Sequence, residues 1–473
     1  MQFNSLVFII FGAVFFAAWP VFRTRRNPRW IFLVTASFIF YGWWDWRFLF
    51  LIMASGLIDF FAGLGIERLP RRKKLLLVLS ILGNVGSLFI FKYLGFVTGT
   101  FNSLMSLAGG DVRLPAADLI LPVGISFYTF QSMSYTIDIY RGRLHPTRNV
   151  FHFFAYLSLF PQLVAGPIVR ARDLLPQLES AGPLTEQQRW DGLKLIVFGY
   201  FKKVVVADTL AASVNVAFAA STPADSACYW WIIMIMFAFQ ILCDFSGYSD
   251  IARGLGKWMG YEFPLNFDHP YTAGSFREFW QKWHISLSTW FRDYVYIPLG
   301  GSRRGAGRAH ATMWVTMLIS GLWHGAAWHF VLWAALHSFY LSIERLTNWP
   351  AKLAKLPGGR HLAPLAVFIL TVMAWVFFRA QDFGQASVVF ARMFNFLAFD
   401  SALAHKLIDN NAINVLLIMI GYELVVHFGK NRSGATPANP RIMRVLEPVG
   451  IAVLILVCVF MRAPSNTFIY FQF

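Results

Sequence analysis

Charged residues are scarce in this sequence of 473 residues, of which Asp, Glu, Lys and Arg make up only 14%. An ordinary soluble domain has about 25%. Apolar residues reach 57% and aromatic residues 18%. This composition excludes a soluble enzyme, a disordered chain and a coiled coil. It predicts an all-α, polytopic membrane protein, in which each spanning helix needs roughly 20 apolar residues.

Cysteine is scarce as well, and Cys228, Cys243 and Cys458 lie too far apart for a metal-binding spacing. We predict that they are packing residues and that there is no metal site. The first apolar run, 3–22, has no basic segment before it. We therefore expect a membrane span there and not a cleavable signal peptide.

Acidic residues are fewer than basic ones, since the sequence has 24 Asp and Glu but 41 Lys and Arg, which gives a net charge of +17. No nucleic-acid recognition fold is visible, so nucleic acid is not a predicted partner. Basic residues on cytoplasmic loops explain the excess through the positive-inside rule. Such a basic face could also attract a phosphorylated donor or an acidic carrier protein.

The basic loops predict the orientation in the membrane. Loops 23–29 and 68–74 flank a hairpin whose tip, 43–46, is aromatic, so both loops are placed in the cytoplasm and the N-terminus outside. Loop 430–444 is predicted to be internal and the C-terminus external. Segment 150–166 is bounded by basic residues at both ends, which predicts a re-entrant or interfacial pair of helices. No internal repeat or soluble linker is visible, so 1–473 is predicted to be a single membrane domain.

Residues 275–294 carry apolar side chains at helical spacing, and Ser275 with Glu278 forms a capping box at the start. We predict one interfacial helix over this segment. His284 lies at the edge of its apolar stripe, in line with Gln281 and Ser288, which predicts a polar track. A hydrogen-bonded boundary histidine without chemistry is the alternative interpretation.

A second histidine, His324, lies near the middle of the long apolar stretch 311–346. Gly321 and Gly325 are four residues apart, so they share a helical face and permit another element to approach closely. An ionisable residue at membrane depth is a functional candidate, and a packing histidine is the alternative.

Other polar residues at membrane depth are expected to pair within the bundle: Asp59, Lys92, Asp138, Asp244 and Asp250. Such carboxylates could form the proton relay of a transporter of an acyl donor or sugar, which is the rival class of function. No inverted repeat supports it.

The sequence resembles the membrane-bound O-acyltransferase (MBOAT) family, and within it the bacterial alginate O-acetylation branch. The resemblance is carried, in chain order, by FPQLVAGP at 160–167, DFSGYSD at 244–250, WHISLS with RDY and PLGG within 283–301, and LWHG at 322–325. It implies a helical bundle with a central tunnel, a catalytic His324 and a second site histidine, His284. The implied reaction is acetyl transfer from a cytoplasmic thioester, acetyl-CoA or an acyl carrier protein, with no permanently bound cofactor.

Residues 463–473 form a predicted external tail that ends in FIYFQF and resembles the F-x-Y-F-x-F ending found in these acylation systems. The resemblance implies that Tyr470 carries the acyl group outward to a periplasmic SGNH-type acetyltransferase, which modifies a polysaccharide. An aromatic membrane anchor is the alternative. Arg303, Arg304 and Arg308 could bind the phosphates of acetyl-CoA, or could simply fix the topology.

Overall fold

In a computed structural model, the described residues are 1–116, 119–164, 166–180, 183–303, 305–430, 440–464 and 466–469, without the side chains of 430 and 440–444. All regular secondary structure within these ranges is helical. The chain therefore has the predicted all-α class there. Arg304, Tyr470 and the loop 431–439 lie outside the described residues.

By its internal contacts the chain forms two compact units, and the first comprises 1–193 with 251–264. Its helices, in chain order, are α1 (Leu6–Arg23), α2 (Arg26–Gly42), α3 (Phe48–Arg68), α4 (Lys73–Leu88), α5 (Leu94–Leu107), α6 (Ile125–Tyr140), α7 (Val150–Leu157), α8 (Phe160–Leu163) and α9 (Ala171–Glu179). A π-helical turn, Phe89–Tyr93, joins α4 to α5. Helix α10 (Glu186–Tyr200) contributes residues to both units.

The second unit comprises 194–250 and 265–473. Its helices are α11 (Asp208–Ala219), α12 (Ala227–Met259, which contributes to both units), α13 (Phe276–Lys282), α14 (Ile285–Phe291), α15 (Ala306–His324), α16 (Trp328–Thr347), α17 (Trp349–Leu353), α18 (Gly359–Arg379), α19 (Phe383–Phe394), α20 (Ser401–Leu407), α21 (Asn410–Lys430) and α22 (Pro440–Phe460). Two π-helical segments, Phe201–Ala207 and Arg292–Tyr296, precede α11 and follow α14.

Six helical segments of the described chain are long and apolar enough to cross a bilayer: 6–23, 48–68, 70–107, 227–259, 359–379 and 410–429. This confirms a multi-pass membrane protein. Segment 150–166, by contrast, contains α7 and α8, of 8 and 4 residues. Neither can cross a bilayer, as expected for a segment that is not a simple span.

The acidic residues at membrane depth are paired, as predicted. Asp59 accepts hydrogen bonds from Ser80 and from Asn84. Asp244 and Asp250 form ion pairs with Lys203 and Lys202, each 2.7 Å long. Because an isolated charge in an apolar surrounding is very costly, these partners are what make the carboxylates tolerable in the bundle.

Candidate active site

The predicted helix over 275–294 is broken in the structure, which corrects the sequence interpretation. Ser275 caps α13 as expected, since its side chain accepts from the backbone N–H of Glu278 at 3.1 Å. The helix nevertheless ends at Lys282, and His284 adopts φ 43° and ψ 55° before α14 begins at Ile285. A left-handed conformation is uncommon for a residue other than glycine, and such outliers cluster at functional sites.

Backbone hydrogen bonds from a distant segment explain this break. The Lys282 carbonyl accepts from the Asp268 N–H at 3.0 Å, and the Ile285 N–H donates to the Asn266 carbonyl at 2.8 Å. Segment 266–268 therefore satisfies groups that a continuous helix would have satisfied internally. The apolar periodicity of 275–294 gives no indication that a segment distant in sequence replaces these intrahelical hydrogen bonds.

The predicted polar track does not form, because the break changes the direction in which each side chain points. Gln281 is exposed, whereas His284 is completely buried. Ser288 Oγ donates to the Trp283 carbonyl at 3.1 Å. The apolar stripe, including Phe279 and Trp283, is buried against protein, so it is not the membrane-facing surface that an interfacial helix would present.

Asn266 fixes the orientation and the tautomer of His284. Asn266 Oδ1 lies 3.0 Å from His284 Nδ1 and 3.3 Å from the backbone N of Ser286. Because that backbone N–H can only donate, the amide atom facing it must be the oxygen, and His284 Nδ1 must then donate to the same oxygen. The lone pair of the imidazole is therefore on Nε2. The other end of the amide, Nδ2, donates to Ser249 Oγ at 3.1 Å.

Apolar rings surround His284 and keep it neutral. The edge of the Phe245 ring packs against it with centroids 4.5 Å apart, and Phe267 lies at 6.1 Å. His284 lies outside the candidate membrane spans, and burial lowers its pKa to about 3. At neutral pH the imidazole is therefore uncharged, with its proton on Nδ1 and its acceptor lone pair on Nε2.

His324 is the last residue of α15, and not the middle of a continuous helix as the apolar stretch 311–346 suggested. The chain breaks over 325–327 and resumes as α16. A Cβ on Gly325 would lie 2.0 Å from the Phe330 ring, and one on Gly321 would lie 2.6 Å from the Ala334 Cβ. The predicted close approach at this glycine pair is confirmed, and it is α16 that approaches.

The two predicted histidines lie side by side in the second unit. Their ring centroids are 6.5 Å apart, and Trp323 packs against both, at 6.1 Å from His284 and 5.1 Å from His324. Trp333 lies 5.1 Å from His324, which is only 3% exposed. The two imidazoles are therefore close neighbours in the interior of this unit. This pair is the candidate active site.

Two of the three arginines predicted to bind the donor, Arg303 and Arg308, are described by the structure. Arg303 and Arg308 are exposed, and Arg308 is near the beginning of α15, whereas His324 is its last residue. The two are roughly 24 Å apart along the helix axis, at a rise of about 1.5 Å per residue. Arg308 therefore does not touch a group that reacts at His324. Both sequence interpretations, phosphate binding and topology, stay open.

The described part of the tail segment, 463–469, approaches the same site. The ring of Phe468 packs against Tyr248 and Phe245, with centroids 4.6 and 5.8 Å apart, and Phe245 in turn contacts His284. Phe468 and Ile469 are 1% and 2% exposed. This burial does not fit a membrane-facing anchor for these two residues. Tyr470, which follows directly, lies outside the described residues.

Comparison with known proteins decides the family. The profile of the MBOAT, membrane-bound O-acyltransferase family matches residues 143–382, which contain both histidines. A probable alginate O-acetylase AlgI of Azotobacter vinelandii is 36% identical over 442 residues, covering 92% of this chain and 86% of that protein. The chain belongs to the MBOAT family.

Other members of the family are also similar to this chain. A peptidoglycan O-acetyltransferase of Helicobacter pylori is 34% identical over 425 residues, covering 83% of this chain and 80% of that protein. A teichoic acid D-alanyltransferase of Streptococcus thermophilus is 27% identical over 273 residues, covering 52% of this chain and 65% of that protein. As an MBOAT member with O-acetylating relatives, this chain is an O-acyltransferase of a bacterial membrane.

Asn266 was missed by the sequence interpretation. It is a single amide between Leu265 and Phe267, and its partner is on the far side of the helix break. Only the left-handed turn at His284 brings the two together, and composition gives no hint of that turn. A buried amide requires a partner, but the local sequence does not mark Asn266 as buried.

Substituting Asn266 is expected to impair acyl transfer through His284. Asn266→Leu leaves Nδ1 without its acceptor, so we expect a fall in kcat of about 10–100-fold, the effect of losing a residue that orients a site histidine. Asn266→Asp keeps an acceptor and adds a negative charge, which raises the pKa of His284. As the pH is lowered, the Asn266→Asp variant should therefore lose its activity at a higher pH than the wild type does.

Ser249→Ala is the matched control, since it removes only the partner of Asn266 Nδ2 and leaves the contact with His284 in place. The measurement is acetyl transfer against pH for the three variants. Identical pH profiles for wild type and Asn266→Asp would show that Asn266 does not act through His284.

Proposed function

We propose that this protein takes acetyl from a cytoplasmic thioester and passes it across the inner membrane for O-acetylation of an extracytoplasmic polysaccharide. The observation that carries the proposal is the His284–His324 pair, with ring centroids 6.5 Å apart and the tail segment packed beside it through Phe468 and Phe245. The names of the relatives support the chemistry, since they describe O-acetylation of alginate and of peptidoglycan. Both polymers are candidate acceptors here.

His324 is proposed as the general base and Tyr470 as the first acceptor. An unperturbed phenol has a pKa of about 10, so it is a weak nucleophile near neutral pH unless a base removes its proton. In the proposed step His324 takes the phenolic proton while the oxygen attacks the thioester carbonyl. The C–S bond then breaks, the thiolate takes the proton from His324, and an acetyl-tyrosine ester remains.

His284 is proposed to hold the acceptor hydroxyl. The Nδ1–H tautomer leaves an Nε2 lone pair, which can accept the O–H of the acceptor as it arrives. Because a hydroxyl carries only one proton, this O–H then turns from His284 to His324 before the transfer. A neutral imidazole with this lone pair is poorly suited to stabilise an oxyanion, which requires a donor. The sequence motif alone would equally allow His284 to position the donor or to support the developing charge, and the tautomer argues against the second of these roles.

The onward step is proposed to require a partner. An aryl ester has a better leaving group than an alkyl ester, so a serine hydroxyl of a periplasmic SGNH-type acetyltransferase can take the acetyl and regenerate the phenol of Tyr470. That partner would then acetylate the polysaccharide. By the positive-inside rule, we propose that loops 23–29 and 68–74 put the N-terminus in the periplasm and that loop 430–444 puts the C-terminal tail there, on the side of such a partner.

The donor is proposed to enter from the basic, cytoplasmic face through the family's central tunnel. Arg303, Arg304 and Arg308 could hold the phosphates of acetyl-CoA or of an acyl carrier protein's prosthetic group while its long arm reaches His324. The separation of roughly 24 Å between Arg308 and His324 requires such an arm. In this proposal the donor's phosphates bind near the beginning of α15, and the thioester reacts at the end of the same helix.

Proteoliposomes containing the purified protein test this function against transport of an intact donor. With acetyl-CoA labelled in the acetyl group outside the vesicles, we expect free CoA thiol to appear and labelled acetyl to become bound to the protein. Vesicles with the His324→Ala variant are the control. Labelled acetyl-CoA recovered intact inside the vesicles, without thiol release, would instead indicate a transporter.

A further inference from the structure

A buried lysine in the second unit is surrounded by oxygen atoms, and one of them belongs to the tail segment. Lys203 Nζ lies 2.8 Å from Asp208 Oδ1, 2.7 Å from Asp244 Oδ1 and 3.2 Å from the carbonyl oxygen of Asn466. The lysine and both aspartates are each 1–3% exposed. An ammonium group has three N–H donors, so the Asn466 carbonyl provides the third acceptor of the set.

The tail segment also contacts the carboxylate of this cluster. The backbone N–H of Ile469 donates to Asp244 Oδ2 at 2.7 Å. Earlier in the segment, the Ala463 N–H donates to the Val204 carbonyl at 3.0 Å. Asn466 Nδ2 donates to the Asp208 carbonyl at 3.3 Å. The segment is thus held at 463, 466 and 469, mainly through its backbone.

The local fold brings these charges together. Lys203 lies in the π-helical segment Phe201–Ala207, and such segments are frequent at functional sites. Gly247 on α12 permits close contact, since a Cβ there would lie 2.7 Å from the Gly199 carbonyl and 3.2 Å from the Lys203 backbone N. Asp244, one turn earlier on α12, consequently reaches the Lys203 ammonium.

The tail segment satisfies hydrogen-bonding groups of the buried charges and so contributes to the stability of the cluster. One cation and two carboxylates buried together need every donor and acceptor satisfied, because breaking a buried pair costs several kcal/mol. Removing the segment would take the Asn466 carbonyl from Lys203 and the Ile469 N–H from Asp244. Both contacts come from groups that every non-proline residue carries, so the cluster recognises peptide backbone more than side chains.

We propose that Lys203, Asp208 and Asp244 form a docking site for a peptide backbone, occupied by this chain's own residues 463, 464 and 466–469. The site sets the register of the segment: Asp244 binds Ile469, and its neighbour on α12, Phe245, packs against both Phe468 and His284. Tyr470 is the next residue in the chain, and the proposed relay requires it to react at the two histidines. This inference rests on the proposed relay for its purpose, but the docking itself can be tested alone.

Ile469→Pro is the sharpest test, because it removes the N–H that binds Asp244 and leaves the buried charges untouched. Ile469→Val, which keeps the N–H and a β-branched side chain, is the matched control. Hydrogen–deuterium exchange by mass spectrometry, on the full-length protein in detergent without donor, reports the protection of the 463–469 amides. Size-exclusion chromatography of each variant checks folding.

We expect strong protection of these amides in wild type and in Ile469→Val, and at least a tenfold faster exchange of the remaining amides in Ile469→Pro. Equal protection in the Pro and Val variants, or exchange in wild type as fast as in an unstructured peptide, would overturn the docking site. Labelled acetyl on Tyr470 is measured in parallel samples of the same preparations after incubation with labelled acetyl-CoA. If docking is lost in the Pro variant as expected but no sample carries acetyl-tyrosine, the docking site stands and the proposed relay fails.

Discussion

Replacing His324 by alanine is expected to lower acetyl transfer from acetyl-CoA by about 10²–10⁴-fold, the contribution typical of a general base. His324 is the ionisable residue that the tight packing of α15 on α16 places within 6.5 Å, centroid to centroid, of His284. Without its imidazole, the proton of the acceptor hydroxyl has no base at that position. The measurement is the initial rate of thiol release by the purified protein.

A buried histidine can also stabilise the fold by packing, so the control variant should lose a buried imidazole that has no proposed role in the reaction. His337 is completely buried among Phe279, Trp280 and Trp333, and His337→Phe keeps an aromatic ring there. We expect that variant to retain activity within about twofold. If His324→Ala, folded as judged by thermal unfolding, keeps more than half of the wild-type rate, then His324 is not the base.

Substituting Tyr470 by phenylalanine is expected to stop acetylation of the extracellular polymer almost completely. The change removes one oxygen, which is the atom proposed to carry acetyl, and keeps the aromatic ring. Docking of 463–469 through backbone atoms should not change. The measurement is the acetyl content of the polysaccharide isolated from cells that carry the variant as their only copy.

Tyr340→Phe is the control for loss of a phenolic hydroxyl elsewhere, since Tyr340 stacks on Phe276 with centroids 4.7 Å apart. Wild-type acetylation of the polymer is expected for it. Normal acetylation in the Tyr470→Phe strain would exclude the tyrosine relay while leaving the assignment of His324 intact.

Much of the fold could be predicted from the sequence because spanning helices are strongly apolar and long. Helix α1 lies close to the apolar run 3–22 that predicted it. The predictions were wrong where distant backbone intervened. Segment 266–268 breaks the helix at His284 through two hydrogen bonds, and a long apolar stretch hides the turn after His324.

The two candidate histidines could be found from the sequence because each stands in a distinctive motif, Trp-His-Ile-Ser and Trp-His-Gly. Their proximity could not, because it depends on both helix breaks. Asn266 and Lys203 could not be found either. Each acts through partners distant in sequence, Asn266 with His284 and Lys203 with Asp244 and Asn466, and neither carries a local pattern.

The central claim is that acetyl passes from a thioester to Tyr470, with His324 as the base. Its most direct test is mass spectrometry of the peptide containing Tyr470 after purified protein has been incubated with isotopically labelled acetyl-CoA and quenched in acid. The account predicts a labelled acetyl ester on Tyr470 in wild type and none in the His324→Ala variant. Thiol release by wild type with no labelled acetyl on Tyr470 at any time of quenching would contradict it.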